Sequence, residues 1–201
     1  MLRGTPAHLK SQWLEADPDE VSSNRKKLFV VMSDEQRLEL KAETDRDEAR
    51  LAVMESQGQK DSVEWLAVLA KCVSEYIRCG DTSRGPHLAK KLVSAVRRMD
   101  LEDSDTGRFA YNQLSCFAFL LRTKSDYGGA LRMDQPALSY LDRMGAKLDD
   151  EYAHRVRALA LDHAKLGDSA SAITLLESYK CRLKAQRAEY SSYSTRVAGS
   201  R

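Results

Sequence analysis

Apolar side chains recur at intervals of three and four residues along most of the chain between residues 61 and 187. In the clearest stretch, 66–77, the residues Leu66, Leu69, Ala70, Val73 and Ile77 fall on one side of a helical wheel. The same spacing returns in 88–99, 110–121, 130–144, 152–163 and 173–183. This spacing is that of an amphipathic helix, so the pattern predicts an all-α fold of antiparallel helix hairpins.

Local signals mark where several of these helices begin or end. Ser33 and Gln36 have the spacing of a capping box and open a charged segment with a thin apolar stripe. Asp61 repeats the capping pattern and is predicted as the N-cap of the next helix. Pro136 lies inside an apolar-periodic stretch, and the helix is expected to restart near it because proline interrupts helical hydrogen bonding.

Polarity divides the chain into four segments. Residues 1–33 are polar and mixed, and we interpret them as an N-terminal arm. Residues 34–60 are predicted to form the charged helix, and residues 61–190 the domain of helix hairpins. Residues 191–201 are small and polar, and for them we expect a disordered tail.

The predicted turns inside the hairpins repeat along the chain. Gly80-Asp81, Ser125-Asp126 and Gly167-Asp168 each place an aspartate after a small residue, at intervals of 45 and 42 residues. The pairs Arg98-Met99 and Arg143-Met144 are also 45 residues apart. Two independent markers with the same spacing indicate an internal repeat of about three hairpins.

The third unit, "HAKLGDSASAITLL" at 163–176, resembles a tetratricopeptide repeat. Gly167-Asp168 matches the turn, and Ala160 and Ala172 are the small residues that allow the two helices to approach closely. The first unit departs from the pattern at Gly85-Pro86, the period is longer than the usual 34 residues, and no unit ends with the usual proline. The resemblance covers residues 62–187 and implies a short right-handed solenoid of stacked hairpins.

In such arrays the first helix of each hairpin lines a concave groove that receives a segment of a partner. Carried over by position, the resemblance places cationic, polar and aromatic side chains in the groove: Arg78, Asn112, Ser115, Phe119, Arg122, His154, Arg157 and Lys165. Few acids lie among them, so we predict that the groove binds an acidic or carboxylate-bearing segment. Ordinary solvated surface positions are the alternative reading of the same residues.

Charge is unevenly distributed although the net charge is only +2. Residues 178–201 carry a net charge of +5, and their basic patch consists of Lys180, Arg182, Lys184 and Arg187. Such a patch is typical of association with nucleic acid, which is the alternative function. A solvated helix end, whose cations suit the helix dipole, is the simpler interpretation.

No pattern in the sequence indicates catalysis or a bound cofactor. The chain has no zinc-protease, phosphate-loop or nucleophile-elbow motif, and its four cysteines lack C-x-x-C spacing. His154 and His163 are nine residues apart and therefore lie on opposite faces of a helix. We expect a non-enzymatic protein without metal or cofactor that acts as an adaptor or a chaperone-like interaction module.

Composition and the length of apolar runs bear on the fold class and on the cellular compartment. Hydrophobic residues make up 42% and charged residues 31% of the 201 residues, and 10 glycines and 4 prolines leave few turn signals for a many-stranded sheet. No apolar run approaches the length needed to span a bilayer, and the first residues lack the apolar core of a signal peptide. We therefore expect a cytoplasmic protein that does not engage a membrane.

Overall fold

The structure, a computed structural model, describes residues 33–145 and 150–198, so all but the last residue of the predicted arm lie outside it. The described residues form only α-helices, which confirms the all-α prediction. None of these helices combines the length and apolarity that crossing a bilayer requires. In chain order they are α1 Asp34–Ser56, α2 Val63–Cys79, α3 Gly85–Arg98, α4 Asp105–Thr123, α5 Tyr127–Arg143, α6 Asp150–Lys165 and α7 Ser169–Ala198.

The helix starts follow the capping signals with one exception. The Ser33 amide donates to Gln36 Oε1 (2.9 Å) and the Gln36 amide donates to Ser33 Oγ (3.2 Å), which confirms the capping box. The prediction that Asp61 caps α2 is wrong, because Ser62 Oγ accepts from the Trp65 amide at 3.1 Å. Asp61 has a φ of 68° and its carboxylate binds Arg98 instead.

Two helices continue past the points where the sequence predicts breaks. The expected restart at Pro136 is wrong, since α5 is continuous from Tyr127 to Arg143. Proline removes one backbone donor, and the buried neighbours Met133 and Ala137 hold the helix together on either side. Helix α7 runs to Ala198, beyond residue 190 where the domain was expected to end. No glycine or proline occurs in this helix, so nothing breaks it there.

Each helix from α2 to α6 packs against the next helix in the chain, and α2 also packs against α4. Residues of α1 from Leu40 onward belong to the same compact unit. Most of the largest fully buried side chains are apolar or aromatic, among them Trp65, Leu92, Tyr111 and Phe117. Because no hairpin buries its apolar faces alone, this core depends on the stacking of successive hairpins.

Contacts between alternate helices connect residues about forty positions apart. Arg155 of α6 binds Asn112 of α4, and Asp162 of α6 binds Arg122 of α4, at sequence separations of 43 and 40. Both helices therefore run in the same direction. At the end of α4, Lys124 Nζ donates to the Gly80 carbonyl, 44 residues earlier, at 3.2 Å. Helix α4 thus ends beside the end of α2.

The three hairpin turns share one backbone conformation. Each has a residue with positive φ at the helix end, with values of 69° at Gly80, 59° at Ser125 and 83° at Gly167. The next residue is always an aspartate whose amide donates to the carbonyl five residues earlier, as in a Schellman motif. Each aspartate also accepts a backbone N–H from the following turn with Oδ1; the three are Asp81, Asp126 and Asp168.

The second helix of each hairpin carries a small buried residue within its first four positions. These residues are Gly85, Ala130 and Ala172, at the same intervals of 45 and 42. A Cβ atom on Gly85 would lie 2.3 Å from the ring of Phe117. The departure of the first unit from the repeat pattern therefore has a packing reason, because this position in that hairpin accepts no side chain.

Candidate functional site

The predicted groove residues lie on α2, α4 and α6, the first helices of the three hairpins. Their exposure differs between the helices. Arg78, Arg157 and Lys165 are exposed, whereas the others are only partly accessible. The partly accessible residues are Asn112, Ser115, Phe119, Arg122 and His154.

Arg122 connects three helices through two buried carboxylates. Its Nε and Nη2 donate to the two oxygens of Asp162 at 2.7 and 2.6 Å, and Nη2 also contacts Asp134 of α5. Asp162 is 0% and Asp134 is 2% exposed. Burial raises the pKa of Asp162 above its usual value, against the opposing hydrogen bonds and charge of Arg122. Burial by itself would lower the pKa of Arg122, but the two aspartates raise it.

Arg155 extends this arrangement toward the start of α6. Its guanidinium donates to Ser115 and Asn112 of α4, and to Glu151 at 2.7 Å. Ser115 Oγ in turn donates to Asp134 Oδ1 at 2.7 Å. The buried polar cluster, by which we mean Asn112, Ser115, Arg122, Asp134, Arg155 and Asp162, is therefore one continuous hydrogen-bonded network.

The buried polar cluster uses three of the predicted groove donors. Arg122 pairs directly with the buried Asp134 and Asp162. Arg155 reaches Asp134 only through Ser115, and its own ion pair is with the exposed Glu151. Its hydrogen bonds fix α4, α5 and α6 relative to one another. Asn112, Ser115 and Arg122 thus have partners inside the chain, and their role in binding a partner stays a prediction.

Sequence reasoning missed Arg155, Asp134 and Asp162. A signal for the two aspartates was present, because each is a charged residue within the three- and four-residue spacing of an apolar stripe. Asp134 follows Ala130 by four residues and precedes Leu138 by four, and all three are buried. A charge on such a face is almost always paired.

A stripe of exposed residues remains on α6. Arg157, Leu161 and Lys165 are spaced at four-residue intervals, which places them on one side of the helix. Leu161 is 46% exposed. Neither cation forms an ion pair with a carboxylate in the part of the chain that the structure describes. We call these three residues the α6 stripe.

The predicted basic patch divides into one anchored and three exposed cations. Arg182 donates to Asp142 of α5 at 2.6 Å and lies over the ring of Tyr152 of α6, 4.9 Å from its centroid. The Asp142 hydrogen bond raises the pKa of Arg182. Burial, aided by Asp142, raises the pKa of Tyr152 to about 12. Arg182 therefore attaches α7 to the stack, and Lys180, Lys184 and Arg187 stay exposed.

One group of described residues has the composition of a metal site. Glu43 and Asp47 of α1 and Glu75 of α2 place one carboxylate oxygen each within 4.8 Å of the others. The ammonium of Lys71 lies among them, at 2.7, 2.8 and 3.5 Å. Hydrogen bonds to Asp47 and Glu43 raise the pKa of Lys71. The lysine thus places one positive charge among three carboxylates.

No protein-family model matches the sequence, and no curated protein aligns with it at a significant score. The likeness to tetratricopeptide repeats therefore rests on the residues and the turns described above. The part of the chain that the structure describes is helical, and its neighbouring helices pack in pairs.

Proposed function

We propose that this chain is a non-catalytic interaction module, an adaptor or a chaperone-like protein, that binds an acidic segment of a protein partner. The observation that carries the proposal is the α6 stripe, Arg157, Leu161 and Lys165. It presents two cations without described carboxylate partners on either side of an exposed leucine. Charged donors around an apolar contact are the chemistry that recognises an acidic peptide.

The architecture that we propose is a short right-handed solenoid of tetratricopeptide-like hairpins. Support comes from the shared turn conformation and from the contacts between helices about forty residues apart. In a solenoid the first helices α2, α4 and α6 line one surface, and curvature makes that surface concave. The α6 stripe would then lie at the C-terminal end of the groove.

The buried polar cluster reduces the number of predicted groove residues that are available to contact a partner. Arg122 satisfies two internal aspartates, so releasing it to a partner would leave buried carboxylates unpaired, at a high cost. Arg157 and Lys165 are exposed and need no such exchange. Arg78 is an exposed cation in the last turn of α2, and Phe119 and His154 are only partly accessible. We therefore assign the main charge contacts to α6.

The proposal is tested by selecting phage-displayed peptides of about twelve residues, a length suited to one groove, on the full chain. We expect the selected peptides to be rich in Asp and Glu. The double variant Arg157→Glu/Lys165→Glu should weaken their binding about tenfold or more, because it places like charges against the peptide. Fluorescence anisotropy with a labelled selected peptide measures the change.

The matched control is Lys90→Glu, which reverses one exposed charge on α3. It should leave both the anisotropy titration and the unfolding temperature unchanged. Peptides selected without enrichment in acids, or acidic peptides that bind the double variant as tightly as the original chain, would contradict the proposal.

A further inference from the structure

Helix α7 has a face that its own hairpin does not use. The helix packs along α6, where Ala172 is buried and Tyr179 stacks on Tyr152 with ring centroids 5.9 Å apart. Ile173 and Leu176 point elsewhere and are 56% and 42% exposed. Large aliphatic side chains that lie exposed next to one another on a helix are candidates for a contact surface.

Three apolar residues and three cations share this face. At about 100° per residue they fall within an arc of about 100° on the helical wheel. We call this set the α7 face: Ile173, Leu176, Lys180, Leu183, Lys184 and Arg187. Its three cations are exposed, and none of them forms an ion pair with a described residue.

The α7 face lies on a helix that is longer than α6, the helix against which it packs. Helix α7 has 30 residues and α6 has 16, which correspond to lengths of about 45 and 24 Å. Arg182 contacts Asp142 at the end of α5 and Tyr152 in the first turn of α6. The helix continues from that level to Ala198.

Two leucines of the α7 face have the spacing of a coiled-coil seam. Leu176 and Leu183 are seven residues apart, and Lys180 and Arg187 follow each of them by four residues. A seven-residue apolar interval returns side chains to the same side of a helix, toward a second helix that packs alongside it. An extended peptide would make no use of that period, so the spacing favours a helical partner.

We propose that the α7 face binds an amphipathic helix of a partner protein, whose apolar seam is flanked by Asp or Glu side chains. The apolar residues would pack in the seam, and Lys180, Lys184 and Arg187 would face the partner's carboxylates. A second copy of this chain would set the same cations against one another. Nucleic acid would match the cations but would leave Ile173 and Leu176 without an apolar surface to contact.

This surface goes beyond the proposed function, which assigns an acidic segment to α6, and it uses no residue of the α6 stripe. The probe is a labelled peptide of about 28 residues, four heptads, with Leu in the seam and Glu at the flanking positions. Repulsion between glutamates keeps this peptide from pairing with itself. The control peptide has Lys in place of Glu. Both are titrated with the full chain at about 0.1 M NaCl, where charge contacts are not fully screened.

We expect the acidic peptide to bind and the basic peptide to bind about tenfold more weakly or not at all. The triple variant Lys180→Glu/Lys184→Glu/Arg187→Glu should reverse that preference. Leu176→Glu should weaken the acidic peptide about tenfold. Ala185→Glu, an exposed position on the opposite side of α7, should change nothing. The Arg157→Glu/Lys165→Glu variant should bind this peptide normally, so failure here is distinguishable from failure of the α6 proposal.

Four outcomes would overturn the inference. One is equal binding of both peptides, and another is binding that neither the triple variant nor Leu176→Glu changes. A third is a dimer in sedimentation analysis that Leu176→Glu dissociates, because the face would then be covered by a second copy. The fourth is tight binding of duplex DNA that the triple variant abolishes while the acidic peptide does not bind.

Discussion

Two helix interfaces in this protein use the same charged chemistry at opposite degrees of burial. Between α1 and the first hairpin, α2 and α3, carboxylates of α1 meet long cationic side chains near the surface. Lys71, the main cation there, is 49% exposed. Between α4 and α6, the carboxylate of Asp162 is 0% and the guanidinium of Arg122 is 13% exposed. The two interfaces therefore differ in burial and not in the kind of charged group that they use.

The difference in burial predicts a difference in energy. Exposed pairs gain little, because water and salt screen them and two flexible side chains are immobilised. Buried pairs do not necessarily stabilise a fold relative to apolar residues, but removing one partner leaves a charge without water or counter-ion. The α4–α6 interface should therefore be far more sensitive to single substitutions than the interface of α1 with the first hairpin.

The largest effect is expected from Arg122→Met. This change removes the guanidinium that Asp134 and Asp162 share and should lower the free energy of unfolding by about 3–5 kcal/mol. Urea denaturation followed by circular dichroism at 222 nm measures it. The control is Arg157→Met on the neighbouring α6, where the arginine is exposed and the loss should stay below about 0.5 kcal/mol.

The Arg122 result also separates charge from packing. If unpaired carboxylates cause the loss, the triple variant Arg122→Met/Asp134→Leu/Asp162→Leu should recover much of it. Equal losses for Arg122→Met and Arg157→Met would show that the buried polar cluster has no special weight, and the comparison would fail.

Acidification should affect the two interfaces in opposite senses. Despite partial burial, hydrogen bonds from Lys91 and Trp65 hold the pKa of Glu55 on α1 below its usual value of 4.5. Glu55 therefore contributes stability above that pH, and the contribution is lost as the pH falls through its lower folded-state pKa. Burial raises the pKa of Asp162. Its contribution is fully present below its unfolded-state pKa of 3.8 and declines as the pH rises through its folded-state pKa.

We expect α1 to lose hydrogen-exchange protection before α4 and α6 when the pH is lowered from about 7 to about 3. Mass spectrometry of proteolytic fragments, with rates corrected for the intrinsic pH dependence of exchange, measures the order. Loss of protection in α6 at a higher pH than in α1 would reverse the assignment.

A smaller effect is expected from Glu55→Gln. In the structure, Trp65 Nε1 donates to Glu55 Oε1 at 2.9 Å, and Lys91 pairs with the same carboxylate at 2.5 Å. Glutamine keeps an acceptor for Trp65 and removes the charge that pairs with Lys91. Because both side chains of this pair are partly exposed, the loss should be about 0.5–1 kcal/mol. The difference from the original chain should shrink at about 1 M NaCl, where screening is strong. A loss that is independent of salt would argue against a charge effect.

The smallest effect is expected from substitutions in the hairpin turns. Ser125 has a φ of 59°, in the left-handed region, where Gly80 and Gly167 occupy the other two turns. Ser125→Gly should raise the free energy of unfolding by about 0.5 kcal/mol, because glycine reaches this conformation without steric cost. Gly80→Ala, with φ of 69°, should lower it. Thermal unfolding of both variants measures these changes. A loss of stability in Ser125→Gly, or a gain in Gly80→Ala, would show that the turns do not share this preference for glycine.

Much of the helical pattern could be predicted from the sequence, because burial selects one face and leaves a period that can be read directly. The turns at Gly80, Ser125 and Gly167 were predicted for a related reason, since positive φ favours a small class of residues. The predictions that Asp61 caps α2 and that the helix breaks near Pro136 were wrong. Two adjacent residues compete for a cap, and tertiary packing overrides a single missing hydrogen bond.

The sequence by itself determined the helical period, the turn residues and their recurrence at 45 and 42 residues. These are local properties, because they follow from backbone geometry and from which side of a helix is apolar. Only the tertiary structure decided that Arg122 serves Asp134 and Asp162 while Arg157 stays exposed. A side chain's partner depends on which distant residues packing brings within hydrogen-bond distance. Burial then decides whether a charge is held inside the protein or is free for a partner.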